Sequence, residues 1–191
     1  MKKFVLASLL VASSLIASQY ATTVKPVYLD ANSKSVAGKL LPTNAIDVLE
    51  EKNGMVKFSI KGYQNPAVSN VIYYSDGQRI ISLAFAKTKA PKFELIKKGE
   101  NGSWDEVKVE AYTTSGDFTS DLNTLFETSK KQYQENCSVC HALHKESQYT
   151  ANQWPSLLKS MISRTPIDKK DEWTIIEYLQ KHAKDTTKES K

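Results

Sequence analysis

The sequence predicts an α+β fold in which an N-terminal all-β region is followed by a small all-α domain. Between residues 24 and 111, short apolar runs alternate with polar residues and are separated by turn-forming residues, a pattern typical of β-strands. From about residue 119 onwards, apolar residues recur at helical spacing instead. We therefore expect strands in the first part of the chain and helices in the second.

The N-terminal residues 1–18 are typical of a secretory signal peptide. Lys2 and Lys3 precede an apolar stretch over residues 4–16, and Ala17 and Ser18 offer small side chains for cleavage. The alternative is a membrane anchor, but a spanning helix needs about 20 apolar residues and this stretch is shorter. We expect a periplasmic protein with no membrane anchor. Its formal net charge of +5 is a small excess, and export makes a nucleic-acid partner implausible.

The first β segment is predicted over residues 19–63. Asn53-Gly54 is a strong hairpin signal between two alternating runs, residues 46–49 and 56–60. The segment resembles a bacterial SH3-like barrel, which implies a docking or structural role. The positions that carry this likeness are Val27, Tyr28, Val36, Gly38, Leu40, Val48, Leu49, Gly62 and Tyr63.

A second β region with a linker is predicted over residues 64–118. The Ser75-Asp76-Gly77 turn separates the two runs of a plausible hairpin, and two further short strands are expected near residues 93–96 and 107–111. The aromatic residues of this region are expected to serve the core or an interface.

Both cysteines of the chain lie in one pentapeptide, Cys137-Ser138-Val139-Cys140-His141. C-x-x-C-H is the pattern of a c-type haem attachment site, in which two thiols form thioethers and the adjoining imidazole binds the iron. We therefore expect one covalently attached haem c held by Cys137, Cys140 and His141. A structural disulfide or a thioredoxin-like redox pair is the alternative in an oxidising compartment.

The helical part, residues 119–185, is followed by a polar tail over residues 186–191. A first helix is predicted over residues 121–136, capped by Ser120 or Asp121, and a last helix is predicted to begin at an Asp168 cap. A first helix ending in C-x-x-C-H, a loop with a methionine and a terminal helix with Tyr178-Leu179 resemble class I cytochrome c. This resemblance implies that the loop supplies the distal haem ligand.

Met161 is the expected sixth ligand of the iron. Met1 leaves with the signal peptide, and Met55 belongs to the β region. His144 is close in sequence to the proximal histidine, and His182 lies near the end of the last helix, where it should pack away from the iron. Histidine–methionine ligation would raise the reduction potential relative to two histidines.

The motifs taken together are similar to the C-terminal monohaem region of TorC-type cytochromes. The likeness is carried by the SH3-like region and by residues 137–144 and 150–155. It implies electron delivery to a periplasmic molybdenum reductase of the trimethylamine N-oxide or dimethyl sulfoxide type. Members of that family also carry a membrane-anchored tetrahaem module, whereas we expect a single haem and no membrane anchor here. We therefore expect a membrane or soluble cytochrome as the electron donor.

Other functions remain open from the sequence. The protein could be a general periplasmic electron carrier, or a haem-based redox sensor or assembly module that docks through its SH3-like region. An enzyme such as a peroxidase or a small-gas binder would need an open iron position, and no histidine–arginine pair with catalytic spacing stands out. We therefore expect an electron-transfer protein and not an enzyme.

Overall fold

A computed structural model describes residues 18–139 and 142–186. The strands are β1 (Gln19–Ala21), β2 (Lys25–Tyr28), β3 (Gly38–Leu40), β4 (Ala45–Lys52), β5 (Met55–Gln64), β6 (Val71–Tyr73), β7 (Ile81–Phe85), β8 (Glu94–Lys97), β9 (Asp105–Thr114) and β10 (Phe118–Thr119). The α-helices are α1 (Leu122–Cys137), α2 (Trp154–Met161) and α3 (Glu172–Lys181). Two short 3-10 turns cover Glu146–Gln148 and Ile162–Arg164. Apart from Ser18, the predicted signal peptide lies outside the described residues.

Six of the ten strands close into a barrel. The order of neighbouring strands around the ring is β5, β6, β7, β3, β2 and β9. The ring is closed by the pairing of β9 with β5. The β5–β9 pairing is the longest, running from Met55 opposite Thr114 to Gln64 opposite Asp105. Outside the ring, β4, β1 and β10 continue the sheet from β5, and β8 continues it from β9.

The predicted Asn53-Gly54 hairpin is confirmed. The turn joins β4 to β5, and both residues have positive φ angles, 52° for Asn53 and 75° for Gly54. A two-residue turn with two positive φ angles matches the twist of the strands that it connects, and asparagine followed by glycine tolerates it best. Local sequence therefore determines the longest hairpin of the sheet.

Alternating apolar residues of the strands fill the centre of the barrel. Phe58, Ile60 and Leu83 are buried there, each with at most 2% of its surface exposed. Because successive side chains of a strand point to opposite faces, one face of each long strand supplies this core and the other faces away from it.

The three helices form a second layer, and their apolar cluster includes one buried residue of the β part. Both α1 and α2 contact α3. The apolar cluster between the helices contains Trp154, Leu158 and Ile176, and it also contains Ile80, which precedes β7. Nearly every residue of α3 is buried, since α3 lies between the other helices and the barrel. Within residues 18–139 and 142–186, no helix is long and apolar enough to span a membrane.

The predicted fold class, an SH3-like all-β region followed by a small all-α class I cytochrome c-like domain, was wrong. The structure is mostly β, with ten strands and only three short helices among the described residues. Strands from before and after residue 63 pair in one closed sheet, and the helices share a core with Ile80 of the β part. Periodicity identifies strands and helices one at a time, but the pairing of distant strands depends on contacts that periodicity does not encode.

The two predicted helix starts had different outcomes. Asp121 caps α1 as expected, and its carboxylate accepts a hydrogen bond of 3.0 Å from the backbone N–H of Thr124. The last helix begins later than predicted, because residues 168–171 form a turn in which the Asp171 N–H donates to the Asp168 carbonyl. The helix α3 then starts at Glu172.

Candidate functional site

Helix α1 positions the first residue of the C-x-x-C-H motif. The Asp121 cap begins the helix, and the buried side chains of Ser129 and Tyr133 hold it in place. Cys137 is the last residue of α1, is half-buried and packs against the helical core. Burial raises the pKa of the Cys137 thiol. Cys140 and His141, the other two predicted haem-binding residues, lie outside the described residues.

Helix α2 positions Met161. Its first turn contains Pro155, which suits a helix start because the missing N–H would have no partner there. Trp154 and Leu158 are each 2% exposed and anchor one face of α2 in the helical core. Met161 was predicted in a loop, but it is the last residue of this helix. Its backbone position is therefore defined by α2.

Cys137 and Met161 line the same pocket, which we call the Cys137–Met161 pocket. It has a volume of about 390 Å³, which falls within the range of small-molecule and cofactor sites. The other described residues that line it are Asn136, Val139, Arg164, Thr165 and Pro166. Two residues that are far apart in the sequence, each with a sulfur atom in its side chain, thus meet at one cavity.

The residues of this pocket fit haem c. Cys137 supplies a thiol for a thioether bond, and the Met161 thioether is a soft ligand of the kind that binds haem iron. Arg164 adds a guanidinium group, which pairs well with carboxylates such as those that haem carries. Among the described residues, no group of three or more His, Cys, Asp or Glu side chains could hold a metal ion by itself.

The two described histidines, which were the alternatives to Met161, lie elsewhere. The Nδ1 atom of His182 lies 2.7 Å from the Tyr178 carbonyl oxygen, and its ring packs against Phe126. The Nδ1 atom of His144 lies 3.2 Å from Oε1 of Gln148. Neither histidine is among the described residues that line the Cys137–Met161 pocket.

Sequence reasoning missed four residues of the pocket wall, Asn136, Arg164, Thr165 and Pro166. Asn136 directly precedes Cys137 and the other three follow Met161 by three to five residues, so their closeness to candidate ligands was a signal that could have pointed to them. It also missed the buried pair Glu177–Lys181. Opposite charges four residues apart on a helix are a recognisable pattern, but such pairs are usually exposed to solvent.

Comparison with known proteins identifies the family of this chain. Residues 16–118 match the family model described as "TorC third cytochrome c domain". The chain belongs to this family. The matched residues contain strands β1–β9 and reach the first residue of β10, so the part of the chain with the family match is the β part. As a member of a cytochrome c family, the chain is a TorC-like cytochrome, for which haem c is the implied cofactor.

The chain is also similar to longer proteins. It is 27% identical over 172 residues to the cytochrome c-type protein TorC of Escherichia coli (strain K12), covering 87% of this chain and 44% of TorC. It is 28% identical over 162 residues to the cytochrome c-type protein TorY of Haemophilus influenzae, covering 83% of this chain and 44% of TorY. The chain thus spans less than half the length of these relatives. No solved structure matches it.

Proposed function

We propose that this chain is a periplasmic c-type cytochrome that carries one haem c and transfers electrons to a periplasmic molybdenum reductase of the trimethylamine N-oxide or dimethyl sulfoxide type. Membership of the TorC cytochrome c domain family supports the electron-transfer role. The similarity to TorC and TorY over more than four fifths of the chain supports the type of reductase. The observation that carries the proposal is the pocket shared by Cys137 and Met161.

In this proposal, Cys137 and Cys140 would bind the haem covalently, and His141 and Met161 would bind its iron. When bound, the haem supplies one-electron redox chemistry. The contribution of this chain is positioning. Helix α1 ends at Cys137, and helix α2, anchored by two buried side chains, ends at Met161.

The proposed partners are proteins. The acceptor is the molybdenum reductase, and the donor is a membrane or soluble cytochrome. Because two side chains of the chain itself would bind the haem iron and leave no open position on it, the proposed activity is electron transfer and not catalysis. Arg164 at the pocket is compatible with this role. Its guanidinium group would neutralise the charge of haem carboxylates and would take no part in a reaction.

Reoxidation of the reduced protein tests the reductase assignment. The haem-loaded protein is reduced under anaerobic conditions and mixed with trimethylamine N-oxide reductase and excess trimethylamine N-oxide, while the haem absorbance is followed. We expect reoxidation only when both reductase and substrate are present. A nitrate reductase with nitrate is the matched control. Equal rates with both reductases, or no reoxidation with either, would contradict the assignment.

Two further measurements test the number of haems and the location. The intact mass of the protein should exceed the mass of the processed polypeptide by that of one haem. Cell fractionation should place the haem-stained band in the periplasm. A band confined to the cytoplasm would contradict the proposed location, and it would leave the haem assignment intact.

A further inference from the structure

The segment that follows the C-x-x-C-H motif is held by side chains from all three helices. This segment covers residues 142–149 and contains the 3-10 turn Glu146–Gln148. A segment with so little regular structure has few backbone hydrogen bonds of its own. Its position therefore depends on the side chains that contact it.

Helix α1 holds the segment through Tyr133. The Tyr133 hydroxyl donates a hydrogen bond of 2.9 Å to the carbonyl oxygen of His144, and the Tyr133 side chain is 3% exposed. Tyr133 lies one helical turn before Cys137, and His144 lies three residues after His141. This hydrogen bond therefore ties His144, which follows the motif, back to α1.

Helices α2 and α3 both hold Glu146. The indole Nε1–H of Trp154 donates to the Glu146 carbonyl oxygen at 3.0 Å. The hydroxyl of Tyr178 donates to Oε1 of Glu146 at 2.7 Å. The rings of Trp154 and Tyr133 also contact each other edge to face. The backbone and the side chain of one residue thus accept hydrogen bonds from two different helices.

The three donors are well suited to a fixed arrangement. The side chains of Tyr133, Trp154 and Tyr178 are each less than 5% exposed, so little water can reach them. Both tyrosine hydroxyls are protonated at neutral pH, and burial raises the pKa of each further. A buried donor that loses its acceptor is costly, and this cost holds the segment in place.

We propose that Tyr133, Trp154 and Tyr178 are positioning residues that fix the segment after His141. Trp154 of α2 and Tyr178 of α3 both donate to Glu146, and Tyr133 of α1 donates to the His144 carbonyl oxygen. This inference rests on the proposed haem-binding function. In the resulting arrangement, α1 defines the position of Cys137, and the three hydrogen bonds define the positions of His144 and Glu146. Described residues on both sides of His141 are thus held by contacts that the polypeptide makes without the haem.

Tyrosine-to-phenylalanine variants of the haem-loaded protein test this inference, because they remove a hydroxyl and keep the ring. We expect Y133F and Y178F to shift the reduction potential, measured by spectroelectrochemistry. We also expect amide hydrogen exchange in residues 142–149 to become about tenfold faster, as for the loss of one hydrogen bond. The matched control is Y149F, since no hydrogen bond within residues 18–139 and 142–186 involves the Tyr149 hydroxyl.

The outcomes separate positioning from general stability. A lower melting temperature with an unchanged reduction potential and unchanged amide exchange would mean that the tyrosines only stabilise the core, and it would overturn the inference. The inference would also be overturned if Y133F and Y178F had the same reduction potential and the same exchange rates as Y149F. If the tyrosine variants do not fold, E146A tests the inference by the same two measurements. Glu146 is only half-buried, so its replacement by alanine should leave the protein folded. These measurements need no reductase. A negative result here would therefore overturn the positioning role without bearing on the reductase assignment, which the reoxidation assay tests separately.

Discussion

The Nζ atom of Lys181 lies 3.4 Å from Oε2 of Glu177 in the interface between α3 and the barrel. The Lys181 side chain is 4% exposed and the Glu177 side chain is fully buried. The ammonium group also donates to the carbonyl and hydroxyl oxygens of Thr43 and to Oδ1 of Asn44, at 2.9–3.0 Å. Thr43 and Asn44 lie between β3 and β4, so this pair fastens the last helix to the barrel.

We predict that breaking the pair destabilises the protein strongly. Replacing Lys181 with methionine leaves the buried Glu177 carboxyl group without the ammonium group, and E177Q leaves the buried ammonium group without an opposite charge. Each change should lower the free energy of unfolding by about 3–5 kcal/mol, measured by urea denaturation. The double variant E177Q/K181M should lose less free energy of unfolding than the two single variants lose in sum, because neither buried charge remains.

Lys184 provides the control for this prediction. It lies near the end of the same helix, but it is exposed, so K184M should change the free energy of unfolding by less than about 0.5 kcal/mol. If K181M changed the free energy of unfolding as little as K184M does, the structural role of the Glu177–Lys181 pair would be contradicted.

We predict that stability falls as the pH rises through the titration of Glu177. Burial raises the pKa of this carboxyl group from 4.5 to about 7, although Lys181 opposes the shift. The folded protein therefore holds the proton more tightly than the unfolded chain. The free energy contributed by this group is fully present below pH 4.5 and is lost as the pH rises towards 7.

The measurement is the free energy of unfolding between pH 4.5 and 7, compared between the wild type and E177Q/K181M. The double variant removes both coupled groups and leaves the exposed carboxylates unchanged. We expect the wild type to have the steeper decline with pH. Parallel curves for the two proteins would show that Glu177 does not titrate in this range.

Replacing Met161 with alanine should open the sixth position of the haem iron. We expect the low-spin spectrum to be lost, carbon monoxide to bind the reduced protein and the reduction potential to fall, because methionine ligation raises it. M55A is the control, since Met55 begins β5 and does not line the Cys137–Met161 pocket. An unchanged spectrum in M161A would exclude the methionine, and H144A and H182A would then identify the ligand.

Replacing Gly38 with alanine should weaken the barrel. Gly38 lies on β3, between Val27 of β2 and Phe85 of β7. A Cβ atom at this position would collide with the backbone carbonyl oxygen of Ala84, which cannot move without disturbing the sheet. We expect G38A to lower the free energy of unfolding by about 1–3 kcal/mol.

The neighbouring residue on the same strand is the control for G38A. Lys39 is exposed, so K39A should change the free energy of unfolding by less than about 0.5 kcal/mol in the same denaturation assay. Equal stability of G38A and the wild type would mean that β3 and β7 can separate locally to admit a methyl group.

Several local features were predictable from the sequence because neighbouring residues create them. The Asn53-Gly54 turn follows from the tolerance of these two residues for positive φ angles. The start of α1 follows from the Asp121 cap, which needs only the next three residues. The start of α3 was predicted too early, because an aspartate can form a turn as readily as it caps a helix, and Asp168 does so here.

The sequence by itself determined most of the strands, the first and last helices and the C-x-x-C-H motif, because each depends on residues within a few positions of one another. Only the tertiary structure decided that β5 pairs with β9 to close one barrel, and that Ile80 of the β part joins the apolar cluster of the helices. It also decided that Cys137 and Met161 line one pocket and that Tyr178 reaches Glu146. These relationships join residues far apart in the chain, so they arise only when the whole protein packs.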